Sequence, residues 1–142
     1  MRIRPSFVAA LLAAGVLSIS AHAEMRKFTA HLNGASEVPP TKSDGTGTLT
    51  ATLDTSTKIL VYTLTYSGLS GPAVAAHFHG PAPAGKNAGV ELPIKPPASP
   101  AKGTAHLTDQ QVSDLEAGLL YVNVHSKAHP AGEIRGQVMA AK

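Results

Sequence analysis

Apolar and polar residues alternate in short runs along most of the chain, and Gly, Pro, Asn and Ser separate the runs. Successive side chains of an extended strand point to opposite faces, so a period of two predicts short strands with one face on a core. The runs are Arg26 to Leu32, Thr48 to Leu53, Lys58 to Tyr66, Ala73 to His79, Val90 to Ile94, Gly103 to Leu107, Leu119 to His125 and Gly132 to Met139. Thr48 to Leu53 sets Leu49, Ala51 and Leu53 on one face against threonines on the other. Lys58 to Tyr66 is rich in the β-branched and aromatic residues that suit a pleated surface. One helix interrupts the strands. Thr108 and Gln111 have the spacing of a capping box, Leu107 and Val112 that of a hydrophobic staple, and Gly118 can end the helix in a left-handed turn. The prediction is an all-β fold: an antiparallel Greek-key β-sandwich or flattened barrel of about eight strands with one short helix.

The first residues follow a different pattern. Arg2 and Arg4 precede an uncharged apolar stretch from Phe7 to Ser20, and Ala21-His22-Ala23 offers a small-x-small cleavage site. These are the parts of a secretory signal peptide over residues 1–23, and the stretch is short of the ~20 apolar residues a spanning helix needs. A single domain over residues 24–142 is therefore expected in a periplasm or secreted, with no membrane span once the leader is removed.

Charge and composition narrow the partners. The chain holds 12 Lys and Arg against 9 Asp and Glu, and two of the basic residues lie in the leader. What remains is close to neutral, with no basic stripe and few aromatic residues, so nucleic acid is not expected as a partner. Cysteine is absent, which excludes both a disulfide brace and a thiolate metal site. Seven His and three Met are present, so a metal site would be built on imidazole.

Strand parity then locates the candidate chemistry. His77 and His79 share one face of their strand, ~6.6 Å apart along it, while Ala76 and Phe78 face the core. Val122 and Val124 facing inward leave Tyr121, Asn123 and His125 facing outward, and Ile134 facing inward leaves Glu133, Arg135 and Gln137 outward. Two imidazoles two residues apart can close on one metal ion through bonds of about 2.0–2.1 Å, and His125 on a neighbouring strand would make a third ligand. Thiolate-free imidazole sites suit Cu(II) or Zn(II), and copper heads the divalent affinity order. His129, four residues beyond His125, is the candidate fourth ligand. Tyr121 or Asn123 could orient an imidazole through its second nitrogen. His31 is expected at the surface or against a neighbouring strand, and His106 on a short strand. An exposed His-x-His pair is also compatible with simple solvated polar surface.

The segments AHFHGPA, YVNVHS and HPAGEIRGQV, in that order, together with EVPP at Glu37 to Pro40 and the GTGTLT run, resemble the CHRD domain family over about Lys27 to Val138. His129 stands where that pattern usually carries Asn-Pro. A more distant resemblance is to copper-zinc superoxide dismutases, which also place two copper ligands in an H-x-H strand and another on a late strand. Arg135 then matches the arginine that guides the anion, a role its permanent charge suits. A sheet-surface salt bridge with Glu133 or another carboxylate is the competing reading. The zinc loop of those enzymes has no counterpart here, since only His106 lies between the copper segments, and their disulfide is missing. The resemblance therefore implies a mononuclear copper site without the dismutase-type zinc site.

Three readings follow: an exported copper-binding domain for copper handling, a copper-only superoxide dismutase-like enzyme drawing a small anion towards Arg135, and a metal-free extracellular interaction module.

Overall fold

The computed structural model describes residues 23–142, and the expected leader lies outside them except for Ala23. The alternating runs form β1 Met25–Asn33, β2 Thr46–Asp54, β3 Ile59–Ser67, β4 Ala73–His79, β5 Val90–Pro93, β6 Ala101–His106, β7 Tyr121–Ser126, β8 Ile134–Gln137 and β9 Met139–Ala140. The helix α1, Asp109–Glu116, begins with the capping box expected of Thr108 and Gln111. Gly118 follows it at φ 71, the left-handed conformation that ends the turn. No helix among the described residues is long and apolar enough to cross a membrane.

All strand pairings are antiparallel, and the ladder is continuous in the order β5-β4-β7-β8-β1-β2-β3-β6, with β9 added beside β1. The sheet curls into a nearly closed barrel. One half is the β1-β2-β3 meander, in register from Met25 opposite Asp54 to Asn33 opposite Thr46. The other is β4-β7-β8, joined to the meander where Asn33 pairs with Arg135. The inward faces meet in one core, in which Leu49, Leu53, Leu60 and Leu64 oppose Phe78, Val122, Val124 and Ile134. Each such side chain contributes about 1.5–3 kcal/mol by leaving water.

Two departures from the alternation pattern have local causes. The last run is split: β8 pairs with β7, the buried Val138 donates its N–H to the Leu120 carbonyl, and β9 then pairs with β1 instead. The second departure concerns the face of β7 turned away from the core. Tyr121, Asn123 and His125 alternate with the core valines as expected, yet all six residues of β7 are buried. Backbone at residues 34–41 and 80–89 lies over that face, so the polar side chains there are enclosed rather than solvated. This second layer positions the candidate site.

Candidate metal centre

His77, His79 and His125 converge. Each offers one ring nitrogen, and these three atoms lie within 4.8 Å of one another. Parity brings the first two to one face of β4, and β7 pairs beside it with Asn123 opposite His77, Tyr121 opposite His79 and Ala75 opposite His125. The imidazoles pack edge to face at centroid distances of 5.5 Å for His77 and His79 and 5.0 Å for His77 and His125. His79 and His125 are each only 8% exposed, while His77 is half-buried at the rim.

The hydrogen bonds assign a tautomer to each ring. His79 Nδ1 lies 3.1 Å from the Ala88 carbonyl and His125 Nδ1 2.9 Å from that of Pro130. A carbonyl oxygen only accepts, so both Nδ1 atoms carry a proton, and in its neutral form each ring turns an Nε2 lone pair to the cluster. His125 Nε2 is 3.1 Å from His77 Nδ1, which must therefore be the donor. His79 Nε2 is buried without any hydrogen-bond partner among the described residues. A buried acceptor left unpaired costs about 1–3 kcal/mol, a cost that a bound cation would remove. Burial lowers the pKa of His77 below its ordinary value of 6.5, assisted by the charges of His125, His79 and Lys95. Burial likewise lowers that of His125, with His79 adding to the effect and the Pro130 bond opposing it. Both rings are therefore neutral, and free to ligate, at physiological pH.

This donor set fits a metal ion. With bonds of about 2.0–2.1 Å, two neighbouring ligand nitrogens lie ~2.8–3.4 Å apart, and the His77–His125 pair already does. His77 needs only to move its proton from Nδ1 to Nε2 to turn a lone pair inward. The partners of the second nitrogens are thus backbone carbonyls of Ala88 and Pro130, rather than the side chains of Tyr121 and Asn123. Tyr121 assists in another way. Its ring stacks on His79 at 4.9 Å and 5°, and its hydroxyl accepts from Ala88 N–H and donates to the Ala88 carbonyl.

His129 is not among the converging ligands. It sits half-buried in the turn after β7, where it lines a separate cleft with Glu37 and residues 38–42. His31 and His106 are exposed on β1 and β6, away from the cluster. Arg135 is enclosed, at 1% exposure. Its guanidinium carbon stands 3.4 Å from the Tyr121 ring centre, and its N–H groups donate to the Lys86 carbonyl at 2.6 Å and Asn87 Oδ1 at 3.1 Å. It makes no pair with Glu133 either, because that carboxylate is held by Ser43 Oγ and by the N–H and Oγ of Ser70.

The family model described as CHRD domain matches residues 28–138, from β1 to the residue after β8. The chain belongs to the CHRD domain family. No match was found among curated proteins or among solved structures. The matched span of this CHRD domain contains all three histidines, both orienting carbonyls and the enclosing loop.

Sequence reasoning missed three participants: the carbonyls of Ala88 and Pro130, and Glu37. A backbone carbonyl leaves no trace in residue type. Glu37 had one in the EVPP run, and the structure shows it buried beside Asn123 and Arg135. Burial pushes its pKa up to about 7, against the opposing effects of the Arg135 charge and the Asn123 bond.

Proposed function

We propose that this CHRD domain binds one copper ion through His77, His79 and His125 and serves copper handling outside the cytoplasm. The observation that carries this reading is the set of three imidazoles with ligand atoms within 4.8 Å, one of them a buried Nε2 with no partner among the described residues. Imidazole without thiolate suits Cu(II) and Zn(II), and copper is the stronger binder at a given nitrogen site. Export of the chain by its first 23 residues, into a periplasm or beyond the cell, agrees with CHRD domains being found in extracellular proteins. Binding is preferred to superoxide turnover because Arg135, which an anion-guiding role needs in contact with solvent, is closed off beneath residues 86–88. His129 is left out of the ligand set.

Isothermal titration of the metal-free protein with Cu(II) and, separately, Zn(II) tests the proposal. One tight copper site that disappears in His77→Ala supports it. Copper binding unchanged in both His77→Ala and His125→Ala refutes the ligand set. No specific binding of either metal leaves the domain as an interaction module.

A further inference from the structure

Arg135 is a large cation buried beside the histidine cluster; the Glu37 carboxyl lies near it, while its hydrogen bonds and its ring contact lead towards one imidazole. Register places Tyr121 of β7 between His79 of β4 on one side and β8, which carries Arg135, on the other. The Tyr121 ring is thus stacked on His79 at 4.9 Å and covered by the guanidinium at 3.4 Å. While over the ring, Arg135 also donates to Lys86 O and Asn87 Oδ1. The loop in question carries Ala88, whose carbonyl accepts from both His79 Nδ1 and the Tyr121 hydroxyl.

The backbone also ties the loop one residue beyond Ala88, where Gly80 N–H bonds to the Gly89 carbonyl and β5 begins by pairing Val90 with His79. Gln137 Nε2 holds the Ala82 carbonyl and Ala82 N–H reaches Leu119 O, both near the start of the loop. At its far side, besides Tyr121, the side-chain ties are Arg135 and the bond from Asn87 Nδ2 to Val38 O. A neutral imidazole exchanges its proton freely between its two nitrogens unless a fixed acceptor holds it on one.

We infer that Arg135 is a positioning residue for His79: by pinning residues 86–88 against Tyr121 it keeps the Ala88 carbonyl on Nδ1 and so turns Nε2 to the cluster. Only a planar guanidinium performs both halves of this task, stacking on a ring while donating two bonds from its edge. A lysine would supply the charge but not the fork. The inference rests on the three-histidine reading for its purpose, but the tautomer itself is a property of the metal-free protein.

The test uses protein labelled with ¹⁵N at histidine, metal-free, at mildly alkaline pH, with long-range ¹H–¹⁵N correlations to show which nitrogen of each ring is protonated. Wild type is expected to show Nδ1–H at His79 and at His125. Arg135→Lys is expected to show mixed tautomers at His79 alone, because His125 is held by Pro130 O. Copper affinity should fall by about 10–100-fold, the usual effect of losing an outer support of a ligand. A folded Arg135→Lys with His79 still wholly Nδ1–H overturns the inference.

Should Arg135→Lys fail to fold, Asn87 decides. Asn87→Ala should loosen the His79 tautomer and Asn87→Asp, which keeps an acceptor for Arg135, should restore it. No difference between these two variants also overturns the inference. Absence of copper binding in wild type would refute the metal reading while leaving the tautomer result intact.

Discussion

His77 Nδ1 donates to His125 Nε2 across 3.1 Å, so that two imidazoles 48 residues apart in sequence share one proton-bearing contact. The lone pair of His125 is available for this because its own Nδ1 proton is committed to Pro130 O. On the proposed reading, the rim histidine's proton stands where a cation would bind.

Copper should therefore stabilise the folded protein, since the unfolded chain does not assemble the three rings. At a free concentration a hundredfold above Kd the gain is about 2.7 kcal/mol, read as a rise in Tm. The rise should vanish in His125→Ala and persist undiminished in His129→Ala. A loss in the second variant would restore His129 to the ligand set.

Glu133 holds Ser43 and Ser70 from a site with 0% exposure. Burial alone would raise its pKa, but the bonds from Ser126, Ser43 and Ser70 outweigh this and hold it at about 2. A carboxylate with a depressed folded-state pKa adds stability above its ordinary value of 4.5 and loses it as pH falls towards 2. The contribution is about 3 kcal/mol. Glu133→Gln should cost about that much in urea melts at neutral pH and little at the acid end. An equal cost at both would mean that the carboxylate's charge does not matter.

Glu37 acts in the opposite sense. Its folded-state pKa, about 7, exceeds the ordinary 4.5, so folding retains the proton and stability declines as pH rises between those values. The decline amounts to roughly 3 kcal/mol. Histidine titration affects wild type and variant alike, so the difference between them isolates Glu37. Glu37→Gln should match wild type near pH 4.5 and exceed it above pH 7, as measured by chemical denaturation. Parallel curves for the two proteins would contradict this.

Gly136 is required by a close approach of strands. A Cβ there would lie 2.4 Å from the carbonyl oxygen of His31 and 2.8 Å from its carbon, backbone atoms that cannot swing aside. Gly136→Ala should separate β8 from β1 and destabilise the fold by about 2–3 kcal/mol. Thermal melts unchanged from wild type would show that the strands tolerate the insertion.

The period-two alternation was sufficient to place every strand from β1 to β8 within a few residues, because sheet formation here follows burial of one face, a property written residue by residue. The capping box of α1 was equally local: Thr108 and Gln111 are three positions apart and bond each other's backbone. His77, His79 and His125 were likewise identifiable, since parity assigns them to the face opposite Phe78 and Val124. What alternation does not encode is whether that second face meets water. Loops at residues 34–41 and 80–89, rich in Pro, Gly and Ala, close over it through contacts between residues far apart in sequence. That closure buries Arg135, moves Glu37 towards neutrality and delivers the Ala88 and Pro130 carbonyls to the imidazoles. Residue types and their order determined the strands, the core and the three histidines. Tertiary enclosure alone decided which ring nitrogens face one another, because that choice depends on backbone oxygens that any sequence supplies and only a folded chain positions.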